Sequence, residues 1–116
     1  MESIMFTSDL LNKKCIPCEG IGKSFTKQEA VDLLKACPQW HLADDYKSIS
    51  RDYVLKSFVQ CTDRINKIKD IAEEQGHHPD LHLTSYKNLK VVLYTHALDG
   101  LTENDFIVAA KIDKLG

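Results

Sequence analysis

The sequence predicts an α+β fold: a four-stranded antiparallel sheet with three helices packed on one face, in the order α-β-β-α-β-β-α. Three observations carry this. Phe58, Cys61, Ile65, Ile68 and Ala72 recur at spacings of three and four, which is one face of a long amphipathic helix. Leu89, Val91, Leu93 and Thr95 alternate with Lys90, Val92, Tyr94 and His96, the period of a strand. Turn residues at Asp44-Asp45, Lys87-Asn88 and Asp99-Gly100 divide the remaining apolar runs into hairpins.

Residues 1–24 lack periodicity and read as an extended N-terminal arm; residues 25–116 read as a single domain. Thr26 with Glu29 forms a capping box, in which each side chain satisfies an orphan backbone N–H of the other, and Ala30, Val31, Leu33 and Leu34 supply the apolar face behind it. Pro38 stops that helix. Trp40–Ala43 and Ser48–Leu55 form a first hairpin. The long helix begins near Phe58 and ends at Gly76, a good residue for a left-handed cap. Leu81–Tyr86 and Leu89–His96 form a second hairpin. Its second strand is apolar on both faces for part of its length, which points to a central or interface position. Thr102 opens a last helix carrying Phe106, Ala109, Ala110 and Ile112. An open sheet of this size leaves edges, so pairing into oligomers is expected.

The bulk properties exclude several function classes. The 116 residues carry a formal charge of −2, with no basic stripe of the kind direct nucleic-acid binding needs. No apolar run is long enough to span a membrane, and Met1–Leu11 has no basic segment ahead of an apolar block, so a cytoplasmic protein is expected. Cys15 and Cys18 make a C-x-x-C pair, but no second pair stands at zinc-ligand spacing, and the surrounding Pro17, Gly20 and Gly22 read as loop. Reduced thiols are the expectation for all four cysteines.

Four of the five histidines fall between His77 and His96. Imidazole titrates near neutrality, so such a cluster points to proton transfer or metal binding. His77 and His78 follow the C-terminus of the long helix, where the backbone dipoles favour a protonated ring by about 0.3–1 kcal/mol at an exposed site. Pro79 holds His78 extended, so the two rings diverge and take different tasks. Asp105, in the first turn of the last helix, caps that helix as its N3 residue and is also placed to reach back and orient an imidazole. His82 reads as a strand bystander, His41 as structural or exposed, and Glu73 as a solvated carboxylate one turn before His77. Adjacent histidines seldom ligate one ion, and no H-E-x-x-H spacing occurs, so neither a metal nor another cofactor is expected.

The run Glu73, His77-His78-Pro79, Tyr86, His96 and Asp105, with the linking text Thr95-His96 and Gly100-Leu101-Thr102-Glu103-Asn104-Asp105, resembles the pterin-4a-carbinolamine dehydratases. The likeness extends to Thr26–Trp40 and covers about three quarters of the chain. The Cys15–Cys18 arm is similar to the leader of many non-animal members. There are departures: vertebrate members have aspartate where this chain has Gly76, tryptophan where it has Leu81, arginine where it has Asn104, and a hairpin one residue shorter between Pro79 and His96. The resemblance implies loss of water from a 4a-hydroxytetrahydropterin to give quinonoid dihydropterin, in support of aromatic amino acid hydroxylases. It implies His77, His78 and His96 as catalytic residues and Glu73, Pro79 and Asp105 as substrate-binding or orienting residues. It also implies a homodimer or homotetramer. As an alternative it implies a dimerisation cofactor that binds a transcription factor through its helical oligomer surface.

Overall fold

The computed structural model describes residues 7–116, so residues 1–6 of the expected arm lie outside it. Four α-helices and four strands follow in the order α1 (Thr7–Leu11), α2 (Lys27–Leu34), β1 (His41–Leu42), β2 (Ile49–Val54), α3 (Phe58–Gln75), β3 (Asp80–Thr84), β4 (Asn88–Leu93) and α4 (Glu103–Asp113). Single turns of 3₁₀ helix stand at Cys18–Gly20 and His96–Leu98. The arm is thus not simply extended. It contains a short helix, and Leu10 within it is fully buried in the core.

The strands form one open antiparallel sheet in the order β1-β2-β4-β3. β4 is interior, as its apolar faces predict, and β3 is an edge. The register pairs Ile49 with Leu93, Arg51 with Val91, and Tyr53 with Leu89. Leu81 pairs with Val91 and Leu83 with Leu89. Paired residues share a face, so these side chains turn together toward the helices. Ile49, Leu89, Val91 and Leu93 are almost wholly buried there, whereas Asp52, Val54, His82, Thr84 and Lys90 on the reverse face are exposed. The helices therefore cover one face of the sheet.

The three longer helices start close to where the sequence places them. Thr26 Oγ1 accepts the Glu29 N–H at 3.3 Å and Glu29 Oε1 accepts the Thr26 N–H at 2.8 Å, completing the capping box of α2. Ser57 Oγ accepts the Gln60 N–H at 3.1 Å and opens α3. Gly76 closes α3 with φ of 65°, the left-handed region open to glycine. α4 is buried from Asn104 through Ala110 and again at Ile112, and its middle, Phe106 through Ala110, is apolar on every side. At its far end Asp113 accepts from Trp40 Nε1 (2.9 Å) and pairs with Arg51, tying α4 to the residue before β1 and to β2.

One burial expectation and two boundaries differ. Phe58, expected on the buried stripe of α3, is 54% exposed in the first turn of the helix. The strand expected over Leu81–Tyr86 ends at Thr84, and Ser85 and Tyr86 turn with φ of 47° and 54°. The strand expected to reach His96 ends at Leu93. Thr95 instead bridges Gly100, and His96 begins the 3₁₀ turn. No helix among the described residues is long and apolar enough to cross a membrane.

Candidate active site

The site is built where the C-terminus of α3, the end of β4 and the start of α4 meet. The left-handed backbone of Gly76 reverses the chain, so the His77 N–H returns to Ala72 O at 3.2 Å and the His77 ring turns inward. That ring is 8% exposed and meets a carboxylate with no exposure: His77 Nε2 lies 2.6 Å from Asp105 Oδ1.

Both oxygens of Asp105 are engaged in hydrogen bonds. Its Oδ2 accepts the Thr95 hydroxyl at 2.8 Å and the Thr102 backbone N–H at 3.0 Å. Thr95 Oγ1 also lies 2.9 Å from Thr102 Oγ1, and since its own proton goes to Asp105, the Thr102 hydroxyl must donate to it. Oδ1 is left to the His77 ring, whose Nε2 is its hydrogen-bond partner. The His77 Nδ1 is the ring nitrogen not engaged by Asp105. Asp105 thus contacts both the start of α4 and an imidazole. One oxygen closes the cap of α4, and the other meets the ring, which is that of His77 rather than of the neighbouring strand-end histidine.

His78 points away from His77, as its extended backbone predicts. Its Nε2 lies 2.5 Å from Glu73 Oε2 in an exposed pair, which again leaves Nδ1 unengaged. Pro79 follows, half-buried. His96 is exposed and adjacent to Thr95, so the Thr95–Asp105 bond ties its segment to the His77 pair. The His96 ring meets the edge of the Tyr94 ring at a centroid distance of 4.5 Å. Tyr94 in turn donates its hydroxyl to Asp99 Oδ1 at 2.6 Å, and Lys47 donates to Asp99 Oδ2 at 2.9 Å. The bond to Asp99 holds the Tyr94 phenol above its ordinary value, and the donations from Tyr94 and Lys47 hold Asp99 below its own. His82 lies on the exposed face of β3, turned away from the helices, and Tyr86 is exposed in the hairpin turn.

Several contributors carried no role in the sequence reading. Thr95 looked like the last member of an apolar stripe; a hydroxyl in line with Leu89, Val91 and Leu93 was the available signal. Gln75 and Asn104 are buried amides that grip the arm. Gln75 Oε1 accepts the Cys15 N–H at 2.9 Å, and Asn104 accepts from Ile16 N at 3.1 Å while donating to Ile16 O at 2.8 Å. Burial, and after it the charge of Asp105, pushes the Cys15 thiol up to about 12. Among the described residues no three His, Cys, Asp or Glu side chains converge to hold a metal ion.

The chain matches the family described as pterin 4 alpha carbinolamine dehydratase over residues 23–115. It is 47% identical over 111 residues to pterin-4-alpha-carbinolamine dehydratase 2, mitochondrial, of Arabidopsis thaliana. That match covers 93% of this chain but 59% of the plant protein, so the chain spans about three fifths of that relative's length. A Legionella pneumophila (strain Corby) relative named for the same dehydratase is 44% identical, with 94% of this chain and 96% of the relative covered. One from Halorhodospira halophila is 38% identical, with 92% and 97% covered. Among solved structures, a transcriptional coactivator/pterin dehydratase from Brucella melitensis superposes with a TM-score of 0.74 at 28% identity, over 80% of this chain and 98% of its own. The chain therefore belongs to the family of pterin 4 alpha carbinolamine dehydratases, which are hydro-lyases.

Proposed function

We propose that this protein removes water from a 4a-hydroxytetrahydropterin to give quinonoid dihydropterin, by general acid–base catalysis at histidine and without a metal or other cofactor. The observation that carries the reading is the buried His77–Asp105 pair, an imidazole held by a carboxylate that leaves one ring nitrogen unengaged. The C4a hydroxyl is a poor leaving group. It departs as water when an imidazolium protonates it while the ring nitrogens supply electrons to C4a, and a second group takes a proton from a ring nitrogen. The acid's lost proton and the base's gained proton balance, so the enzyme is restored by proton exchange with solvent.

In this reading His77 and His96 exchange protons with the substrate from opposite sides. His78, steadied by Glu73, binds and positions the pterin, and Pro79 shapes the wall beside it. Asp105 keeps His77 in one orientation and tautomer. Catalysis of this type is worth typically about 10²–10⁴-fold, a fitting size for a dehydration that also proceeds unaided. The product feeds the recycling of the pterin spent by aromatic amino acid hydroxylases. We place the enzyme in the cytoplasm; its four free cysteines suit a reducing compartment. A homodimer or homotetramer fits the unpaired edge of β3 and the exposed Phe58 and Val59 at the start of α3.

The test is the decay of freshly generated 4a-hydroxytetrahydropterin, followed by absorbance. Parent protein should accelerate it, and the double variant His77→Ala/His96→Ala should return the rate to that of buffer while the circular dichroism spectrum is unchanged. Most of the activity surviving in that folded variant would refute the assignment.

A further inference from the structure

His77 and Asp105 come from different elements, and their 2.6 Å bond depends on how the end of α3 sits against the start of α4. The arm occupies that junction. Gln75, two residues before His77, and Asn104, one residue before Asp105, reach it from the two helices and bind successive arm residues, Cys15 and Ile16. Asn104 satisfies both backbone groups of Ile16, as a strand neighbour would. The Cys15 thiol completes the clasp by donating to the Asn104 carbonyl at 3.6 Å. Asn104 is 2% exposed and Gln75 7%. A buried amide without partners is costly, so the arm and the two amides require each other. Further ties hold the arm along α4: Leu10 is fully buried, Lys111 Nζ donates to Leu11 O at 2.9 Å, and Lys13 pairs with Glu103 at 3.1 Å.

We infer that the N-terminal arm is a positioning element of the site: Gln75 and Asn104 clamp Cys15–Ile16 between the helix end that presents His77 and the helix start that presents Asp105, and this fixes their hydrogen bond. The catalytic meaning of the clamp rests on the function proposed above; the geometric meaning does not. A misplacement of about 1 Å at a reacting group can cost about 10²-fold in rate. The clamp therefore acts on turnover more than on substrate binding.

The test uses the full chain and two readouts. A buried imidazole N–H held at short distance by a carboxylate gives a proton resonance at low field, and His77 Nε2–H should supply one. In Asn104→Ala and in Gln75→Met that resonance should broaden or vanish, and kcat should fall by about 10–100-fold with KM changed less than about twofold. Gln75→Glu, which keeps an acceptor for the Cys15 N–H, should restore both. A purely structural role predicts a smaller folded fraction but an unaltered resonance and kcat per folded molecule, and that result in either variant would overturn the inference. A parent protein without dehydratase activity would sink the proposed function, while the resonance would still decide the clamp. Hydrogen exchange on the parent adds a measurement free of substitutions: the Cys15 and Ile16 amides should be as protected as the His77 amide, and rapid exchange at both would also overturn it.

Discussion

Cys37 and Cys15 report what burial does to a single group. Desolvation is the main cause that pushes each thiol from an ordinary 9.0 up to about 12, and negative charge adds to it, from Asp113 at Cys37 and Asp105 at Cys15. A thiol raised in the fold keeps its proton there at pH values where the unfolded chain has released it. Its contribution to stability is complete below about 9, declines as pH rises beyond that, and is gone once pH passes through about 12. The urea midpoint should accordingly fall with rising pH above about 9, with Tyr53, also raised by burial, adding to the trend. Cys37→Ala should flatten the slope by one proton, and an unchanged slope in that variant would contradict the assignment. The same scale shows what a sequence does and does not reveal of a site. The histidines and Asp105 stood out by type as candidates, while Glu73 read as a solvated carboxylate and was singled out only by the resemblance. The amide and hydroxyl partners did not stand out. Thr95, Gln75 and Asn104 look like ordinary strand and helix residues until burial shows that each must be satisfied.

Among the elements, the end of α3 has the most consequence for the site. Gly76 takes φ of 65°, and a Cβ built there would meet nothing within 4 Å. The position therefore resists substitution for backbone reasons alone. Gly76→Ala should destabilise by about 1–2 kcal/mol, while Gly76→Asn, whose side chain tolerates this region, should cost about half as much. Thermal melts of the two variants check this, and equal losses would point to a steric cause instead. The long helix and the alternating strand were legible because each repeats its period several times. α1 was not, because five residues make little more than one turn and leave no period to detect. The 3₁₀ turn at His96 was hidden for a related reason: alternation continues through Thr95 and His96, and only the Thr95–Gly100 bridge shows that the chain has already begun to turn.

At the scale of the molecule, the arm and the rest of the chain share one core. Leu10 is buried among residues of the same cluster as Phe106 and Ile107, so docking the arm and folding the sheet should be one event. Leu10→Ala should cost about 2–5 kcal/mol and lower the midpoint of a single unfolding transition. A separate early transition, with the remaining residues unfolding at the parent midpoint, would show the arm to be an independent appendage. The layered α+β plan was readable from element order, since two hairpins and amphipathic helices have few ways to share a core. The strand order was not, because it depends on pairing between residues distant in sequence, such as Ile49 with Leu93. One consequence lies in how such a scaffold can change over generations. The carboxylate of Asp105 seeds the terminal helix with one oxygen and aims an imidazole with the other. Under the proposed function a substitution there would meet selection for folding and selection for turnover at once, whereas neighbours such as Tyr94 and Asp99, which touch His96 or its support yet start no helix, would be freer to change.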